Sequence, residues 1–242
     1  MNQQYIRGLF LDWDEMEPDN YVREIPALCG LEELEFSSPI TFFVGENGSG
    51  KSTLLEAMAV AAGFNPEGGS RNYHFSTHDS HSPLYQALRL RRGPRRPDFG
   101  YFLRAESFFN VATQEESYAD MGHPSQGFHQ MSHGESFLSL LQSQLEADGL
   151  YLLDEPEAAL SPQRQLTLLA EMYNHAKCGA QFIVVSHSPI LLGTPGAQIL
   201  TFDEGRVHPC RYEDTESYRV TELFINGRER LLPMLLGREP LE

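Results

Sequence analysis

Residues 45–52 read Gly45-Glu46-Asn47-Gly48-Ser49-Gly50-Lys51-Ser52 and match the pattern GxxxxGK(S/T). Before them, Ile40 to Val44 is a compact apolar run that predicts a buried strand. After them, Lys51 to Ala62 has apolar side chains at helical spacing, and Gly63 is suited to ending the helix. Between a strand and a helix, glycines let backbone N–H groups point at phosphate oxygens, and the helix N-terminus adds its positive dipole end. The stretch therefore predicts a phosphate-binding loop.

The last residues of this loop have the chemistry that a nucleoside triphosphate and its metal ion require. Lys51 is predicted to reach the β and γ phosphates, and Ser52 is predicted to ligate Mg²⁺. A chance glycine turn is the alternative interpretation, and the flanking strand and helix argue against it. The predicted nucleotide-binding residues are Gly45, Glu46, Asn47, Gly48, Ser49, Gly50, Lys51, Ser52 and Thr53.

A second apolar strand, Leu150 to Leu153, ends in two adjacent carboxylates, Asp154 and Glu155. Ligands of open α/β sheets bind beyond the carboxyl ends of the strands, so both acids are expected beside the loop. Asp154 is predicted to hold Mg²⁺, and Glu155 is predicted to polarise the attacking water. A solvated strand end is the alternative, which the four apolar residues before the pair make the weaker one.

Two more segments add polar groups to the predicted site. The run Ser132-His133-Gly134-Glu135-Ser136 opens a predicted helix with a hydroxyl and a glycine, and so forms a second phosphate-binding helix terminus. Phe182 to Val185 is a buried strand, and His187 shortly after it can hydrogen-bond a γ-phosphate or the attacking water. Taken alone, such a histidine is more often structural, so its role depends on the other motifs.

The order of the predicted elements indicates an α/β fold with a largely parallel sheet and an antiparallel β portion at the N-terminus. The remaining predicted strands are Tyr5 to Leu11, Leu31 to Phe36 and Ile199 to Phe202, and the remaining helices are Gly134 to Leu145 and Pro162 to Ala176. We expect one domain over residues 1–242, because the composition shifts nowhere sharply.

Residues 65–130 or so are predicted to be an inserted section, since Pro, Gly, Ser and Asn replace the helical pattern there. Within the insertion, Leu84 to Arg92 and Tyr101 to Ala105 are predicted to form a β-hairpin.

Two features are predicted in the second half of the chain. The Ser161 hydroxyl is expected to cap the helix that follows it, and the C-terminal helix is expected to be interrupted at Gly227 and Pro233.

Composition and charge limit the classes of protein to which the chain can belong. The chain is 40% hydrophobic and 21% charged, with no apolar run near the ~18 residues of a membrane span. Three dispersed cysteines without a CxxC pair fit a reduced, cytoplasmic protein that is not itself in the membrane. A net charge of −16 argues against a surface devoted to duplex DNA. The arginines of residues 89–96 are best interpreted as an exposed strand edge, with nucleic acid or an acidic partner as the minority interpretation.

Together these motifs resemble the ATP-binding cassette (ABC) superfamily, whose motif order they follow. The correspondence is Walker A at Gly45 to Ser52, the signature at Ser132 to Ser136, Walker B at Leu150 to Glu155, a D-loop at Ala159 to Pro162 and a switch histidine at His187. The strings SHGES, LLDEPEAALSPQRQ and SHSP are similar to small stand-alone bacterial ATPases of the AAA family, akin to the SMC and RecF branch. Transporter subunits usually carry LSGGQ as their signature.

The resemblance implies ATP hydrolysis by a symmetric homodimer that ATP induces. Ser132, Gly134 and Glu135 of one chain would close on the nucleotide in the partner's P-loop, using the same two patches twice. Glu155 and His187 would be the catalytic residues, with ATP and Mg²⁺ as the bound groups. We expect the cycle to drive an unidentified protein or nucleic-acid partner. The alternative is the energy subunit of a membrane transporter.

Three departures from the family pattern limit what carries over. No glutamine follows the strand at Tyr101 to Ala105, where Glu106 stands instead. Glu106 is predicted to reach the Mg²⁺ shell, or alternatively to pair with Arg104. The chain has neither a long coiled coil nor a zinc hook. Tyr21 is the best candidate for an adenine platform and is otherwise a packing residue.

Overall fold

The computed structural model describes residues 4–70, 82–104 and 133–237. Its strands are β1 (Ile6–Leu11), β2 (Glu33–Glu35), β3 (Ile40–Val44), β4 (Gly69–Ser70), β5 (Leu88–Arg92), β6 (Phe99–Arg104), β7 (Gly149–Asp154), β8 (Gln181–Val185), β9 (Gln198–Thr201) and β10 (His208–Pro209). Its helices are α1 (Pro26–Cys29), α2 (Lys51–Ala62), α3 (Leu84–Ala87), α4 (His133–Gln144), α5 (Pro162–Lys177), α6 (Pro189–Leu192) and α7 (Glu216–Leu236).

The strands form two sheets. The larger has seven strands in the order β10-β9-β3-β8-β7-β6-β4, and its five central strands run parallel. The smaller has three antiparallel strands in the order β2-β1-β5. This arrangement confirms the predicted α/β class, with a mostly parallel sheet and an antiparallel portion that includes the N-terminal strand.

The central strands bury both faces because helices and strands cover each side of the large sheet. Alternate residues of β3 point to opposite sides, so Phe43 packs with Leu54 of α2 while Phe42 packs in a second cluster with Leu168 of α5. The three-stranded sheet joins the α2 side through Leu9. This double coverage explains why β3 and β8 read as continuous apolar runs.

Helix α2 begins and ends at the predicted residues. Gly50 precedes it at φ 98°, and Gly63 follows it at φ 92°, a left-handed conformation that favours glycine. The N–H of Gly63 donates to the carbonyls of Ala59 and Val60 and so closes the helix. The loop of residues 45–50 is therefore held between a buried strand and a fixed helix start.

The predicted β-hairpin is wrong. Strand β5 pairs with β1, where Leu90 lies opposite Leu9, and β6 lies between β7 and β4 in the other sheet. Residues 84–87, predicted as the start of the first hairpin strand, form helix α3 instead. Alternation of apolar residues identified a strand in both segments, but it carries no information about which distant strand becomes the partner.

Two helix details also differ from prediction. Ser161 occupies the residue before α5, yet its side chain makes no capping hydrogen bond. Helix α7 continues through Gly227 and Pro233. A glycine in a helix costs only about 1 kcal/mol, and Pro233 lies in the last turn, so the hydrogen bond that it removes is one of the last in the helix.

The arginines of residues 89–96 lie on and after the edge strand β5. Arg91 reaches across β1 to Glu33 at 2.9 Å and Glu35 at 2.5 Å, and Arg95 pairs with Asp148 at 2.6 Å. These pairs favour the interpretation of an exposed strand edge. Within the described residues, no helix combines the length and the apolar character needed to cross a bilayer.

Candidate active site

Three neighbouring parallel strands bring the predicted site residues to one edge of the sheet. Strand β8 lies between β3 and β7, with Val185 opposite both Phe43 and Asp154. The carboxyl ends of parallel strands meet at one edge, so the loop after β3, the acids after β7 and the histidine after β8 lie side by side. The structure thus brings these three segments together at one edge of the sheet.

Lys51 is buried against its own loop. It is 4% exposed, and its Nζ donates to the carbonyl oxygens of Gly45 at 2.7 Å and Glu46 at 2.6 Å. Burial lowers the pKa of Lys51, while nearby carboxylates, Glu155 foremost, act in the opposite direction. The ammonium is thus a desolvated donor surrounded by acids, at the point where phosphate oxygens are predicted to bind.

The path of the loop depends on glycine. Gly45 has φ 136°, and a Cβ there would lie 2.8 Å from Oδ1 of Asp203. Gly50 has φ 98°, and a Cβ there would lie 2.8 Å from Cγ2 of Ile25. Both positions combine a left-handed backbone with too little space for a side chain, so a side chain at either would distort the loop.

Asp203 anchors the start of the loop, and the sequence analysis did not identify it. Its Oδ1 accepts a 2.9 Å hydrogen bond from the backbone N–H of Glu46. Its Oδ2 accepts one of 2.8 Å from Oγ1 of Thr201. The available signal was an acid close behind the predicted strand at residues 199–202, the same context that singled out Asp154.

Ser52 and Asp154 form a pair of oxygen ligands. Ser52 Oγ, in the first turn of α2, donates to Oδ1 of Asp154 at 2.8 Å. Hydroxyl and carboxylate oxygens are hard donors of the kind Mg²⁺ prefers, and Mg²⁺ normally completes its shell with phosphate oxygens and water. In the described ranges, no group of three or more His, Cys, Asp or Glu could hold a metal ion alone. The pair fits Mg²⁺ that arrives with a nucleotide.

Glu155 and His187 face each other across the end of the sheet. The distance between His187 Nε2 and Glu155 Oε1 is 3.8 Å, and their side chains are 40% and 44% exposed. Nε2 of His187 has no hydrogen-bond partner among the described residues. Glu155 has the left-handed backbone φ 48°, ψ 52°, which costs a residue with a Cβ about 1–2 kcal/mol. Strained conformations of this kind cluster at functional sites.

A cavity of about 900 Å³ opens beside the outer side of the loop. Its lining residues include Pro26, Ala27, Phe202, Gly205 and Val220 in addition to loop residues 46–49. Tyr21, the candidate adenine platform, is 55% exposed and does not line this cavity. The structure therefore gives no support to Tyr21 as the residue that stacks on the base.

Two of the predicted site residues, Ser132 and Glu106, fall outside the described residues. Gly134 and Glu135 lie in the first turn of α4. Arg104, the alternative partner of Glu106, donates from Nη1 to Oε2 of Glu56 at 2.6 Å.

Comparison with protein families gives two matches in successive parts of the chain. A model described as "AAA domain" matches residues 25–95, which include the glycine loop. A model described as "AAA domain, putative AbiEii toxin, Type IV TA system" matches residues 112–193, which include the acids and His187.

Similar characterised proteins are ATP-binding proteins. The hemin import ATP-binding protein HmuV of Nocardia farcinica is 29% identical over 204 residues, covering 75% of this chain and 70% of the relative. The zinc import ATP-binding protein ZnuC of Alkalilimnicola ehrlichii is 28% identical over 195 residues, with 75% and 70% covered. Among solved structures, the SMC head domain from Thermotoga maritima has a TM-score of 0.46 at 16% identity, covering 86% of this chain and 99% of that one. Its two AAA-domain matches and these relatives make the chain similar to ATP-binding proteins of the ABC type.

Proposed function

We propose that the protein binds Mg·ATP at residues 45–53 and hydrolyses it as a homodimer that ATP clamps shut. The observation that carries this proposal is the meeting of three strand ends, which places Lys51, the Ser52–Asp154 pair and the Glu155–His187 pair at one sheet edge. The closing and opening of the dimer drives a partner protein or nucleic acid.

Phosphate binding uses donors that the loop already presents. The Lys51 ammonium exchanges its bonds to the carbonyls of Gly45 and Glu46 for charge-assisted bonds to the β and γ phosphates. The N-terminus of α2, a 12-residue helix, adds its dipole. Ser52 and Asp154 hold Mg²⁺, which when bound neutralises charge on the phosphates.

In the hydrolysis step, Glu155 accepts the proton of the attacking water. A water molecule attacks the γ phosphorus, its proton passes to the Glu155 carboxylate, and the bond to the β–γ bridging oxygen breaks to leave ADP and inorganic phosphate. His187 lies within 3.8 Å of that carboxylate and has an unused ring nitrogen in the described structure. It holds the γ-phosphate or the attacking water in line.

The openness of this edge supports a dimer. The side chain of Glu155 is 44% exposed, so in one chain alone its carboxylate faces bulk water, although the Nε2 atom of His187 beside it is buried. Phosphoryl transfer is favoured in a site from which water is excluded. A second copy can close the site by placing Gly134 and Glu135 of its own α4, together with Ser132 just before that helix in the sequence, against the γ-phosphate.

The test is the mass of a hydrolysis-deficient variant in solution. Glu155→Gln keeps the phosphate and metal contacts but has no base, so with Mg·ATP it should accumulate as a dimer of about twice 27.4 kDa by light scattering. Adding Ser132→Arg places a bulky cation at the partner-facing helix start and should return the variant to a monomer. A Glu155→Gln protein that stays monomeric in saturating Mg·ATP, while the wild type does too, contradicts the clamp.

A second candidate function is the ATP-binding subunit of a membrane importer. The specific observation for it is that the characterised relatives are named import ATP-binding proteins for hemin and zinc. Cell fractionation separates the two. A transporter subunit sediments with membranes and is released by detergent but not by high salt, whereas a stand-alone ATPase stays in the supernatant in both conditions.

A further inference from the structure

The carboxylate of Glu157 binds the segment that carries His187. Its Oε1 accepts a 2.5 Å hydrogen bond from the backbone N–H of His187 and one of 2.9 Å from Oγ of Ser186. Glu157 lies two residues after Glu155, in the short 3₁₀ turn Pro156–Ala159. One side chain of the turn that follows Glu155 thus fixes the loop that carries His187.

This carboxylate is in an environment that disfavours charge. Burial raises the pKa of Glu157, and the hydrogen bonds from His187 and Ser186 act against that rise. Its second oxygen, Oε2, is buried and has no hydrogen-bond partner within the described residues. Burying a carboxyl group without a full set of partners costs free energy, so a residue that only filled this space could be apolar at less cost.

Two further hydrogen bonds make the connection rigid. The N–H of Glu155 donates to the carbonyl of Val185 at 3.0 Å, which ties the end of β7 to the end of β8. Oγ of Ser186 accepts from the N–H of Ser188 at 3.0 Å, which ties the histidine loop to the start of α6. Glu157 completes this set because it binds Ser186 and His187, which lie between these two hydrogen bonds in the chain.

We propose that Glu157 is a positioning residue that sets His187 relative to Glu155. The carboxylate does not touch the nucleotide. By binding the backbone of His187, it holds Nε2 at 3.8 Å from Oε1 of Glu155, where both groups address the same γ-phosphate and water. This inference rests on the proposed catalytic roles of Glu155 and His187. Displacing a reacting group by about 1 Å can cost on the order of 100-fold in rate.

The first part of the test compares two substitutions. Glu157→Ala removes both hydrogen bonds and should lower kcat about 10- to 100-fold, with the Kd of ATP changed less than about threefold. Glu157→Gln keeps an amide oxygen that accepts the same two bonds, and should restore kcat to within about threefold of wild type. Equal losses in both variants would contradict positioning by these hydrogen bonds, as would a loss confined to ATP binding.

The second part repeats Glu157→Ala in a His187→Ala background, with single-turnover measurements to reach slow rates. If Glu157 acts through His187, the double variant should be no slower than His187→Ala alone. Additive losses would overturn the inference and leave the role of His187 standing. A His187→Ala protein with wild-type kcat would instead overturn the proposed role of His187, and the inference with it. Should Glu157→Ala fail to fold, Ser186→Ala removes only one of the two donors and is expected to give a smaller loss of the same kind.

Discussion

Oγ of Ser52 donates a 2.8 Å hydrogen bond to Oδ1 of Asp154, although the two residues are 102 positions apart in the chain. The bond joins the start of α2 to the end of β7. It sets a hydroxyl and a carboxylate at the distance at which they could share one Mg²⁺, so two oxygen ligands are in place for an ion that arrives with a nucleotide.

Removing the Ser52 hydroxyl should therefore weaken the dependence of ATP binding on Mg²⁺. For wild type, we expect the Kd of ATP to rise on adding EDTA. For Ser52→Ala, calorimetry with and without EDTA should give Kd values that differ much less, because the variant lacks one of the protein oxygens proposed to hold the metal. Thr167→Ala is the control and should behave as wild type, because it removes a hydroxyl on α5 that donates to the carbonyl of Gln163 within its own helix.

Lys51→Ala should abolish measurable ATP binding. The Nζ makes its hydrogen bonds from a buried position, and no second cation of the loop can replace the charge at the β and γ phosphates. Losing several charge-assisted bonds corresponds to at least about a 100-fold increase in Kd. Lys177 is the only other lysine in the sequence, and its ammonium lies 4.3 Å from the centre of the Tyr173 ring. Lys177→Ala is a matched control. Near wild-type affinity in Lys51→Ala would remove the basis for the phosphate site.

Asp203→Ala should loosen the loop and lower the free energy of unfolding by about 1–2 kcal/mol. It removes acceptors for the N–H of Glu46 and the hydroxyl of Thr201. Asp203→Asn keeps one acceptor oxygen and should recover part of the loss in urea unfolding. Because Asn also removes a negative charge near the phosphates, its Kd for ATP should be no weaker than that of wild type. Weaker ATP binding by Asp203→Asn would show that the carboxylate charge itself is needed.

The sequence predicted the parts of this site that are local. The bounds of β3 and α2 follow from an apolar run and two glycines, and the two acids at the end of β7 follow from the change of polarity there. Asp203 and Glu157 were missed because their partners are distant: Glu46 is 157 positions from Asp203, and Ser186 is 29 positions from Glu157. The pairing of β5 with β1 was not predicted for the same reason, since no local sequence pattern identifies the partner of a strand. Kinship to the SMC and RecF branch, as opposed to transporter subunits, stays a prediction.

The left-handed backbone of Glu155 gives a prediction that separates stability from catalysis. At φ 48° a residue with a Cβ is disfavoured, so the free energy of unfolding should be larger for Glu155→Gly than for Glu155→Ala. We expect a difference of about 1 kcal/mol, because the strain relieved exceeds the entropy that glycine gains in the unfolded chain. Urea unfolding of the two variants without nucleotide measures it. Neither variant should hydrolyse ATP, since neither has a base.

Glu171 supplies the control for this comparison, because it lies inside helix α5. There glycine is the poorer residue by about 1 kcal/mol, so Glu171→Gly should be less stable than Glu171→Ala. Opposite signs at the two positions would establish that Glu155 is held in a strained conformation by its surroundings, with its N–H fixed to the carbonyl of Val185. The wild-type protein then tolerates a loss of stability at this residue in order to aim the carboxylate at the γ-phosphate. If Glu155→Ala is as stable as Glu155→Gly, the backbone at this position relaxes freely, and the rigid placement of Glu155 opposite His187 is wrong.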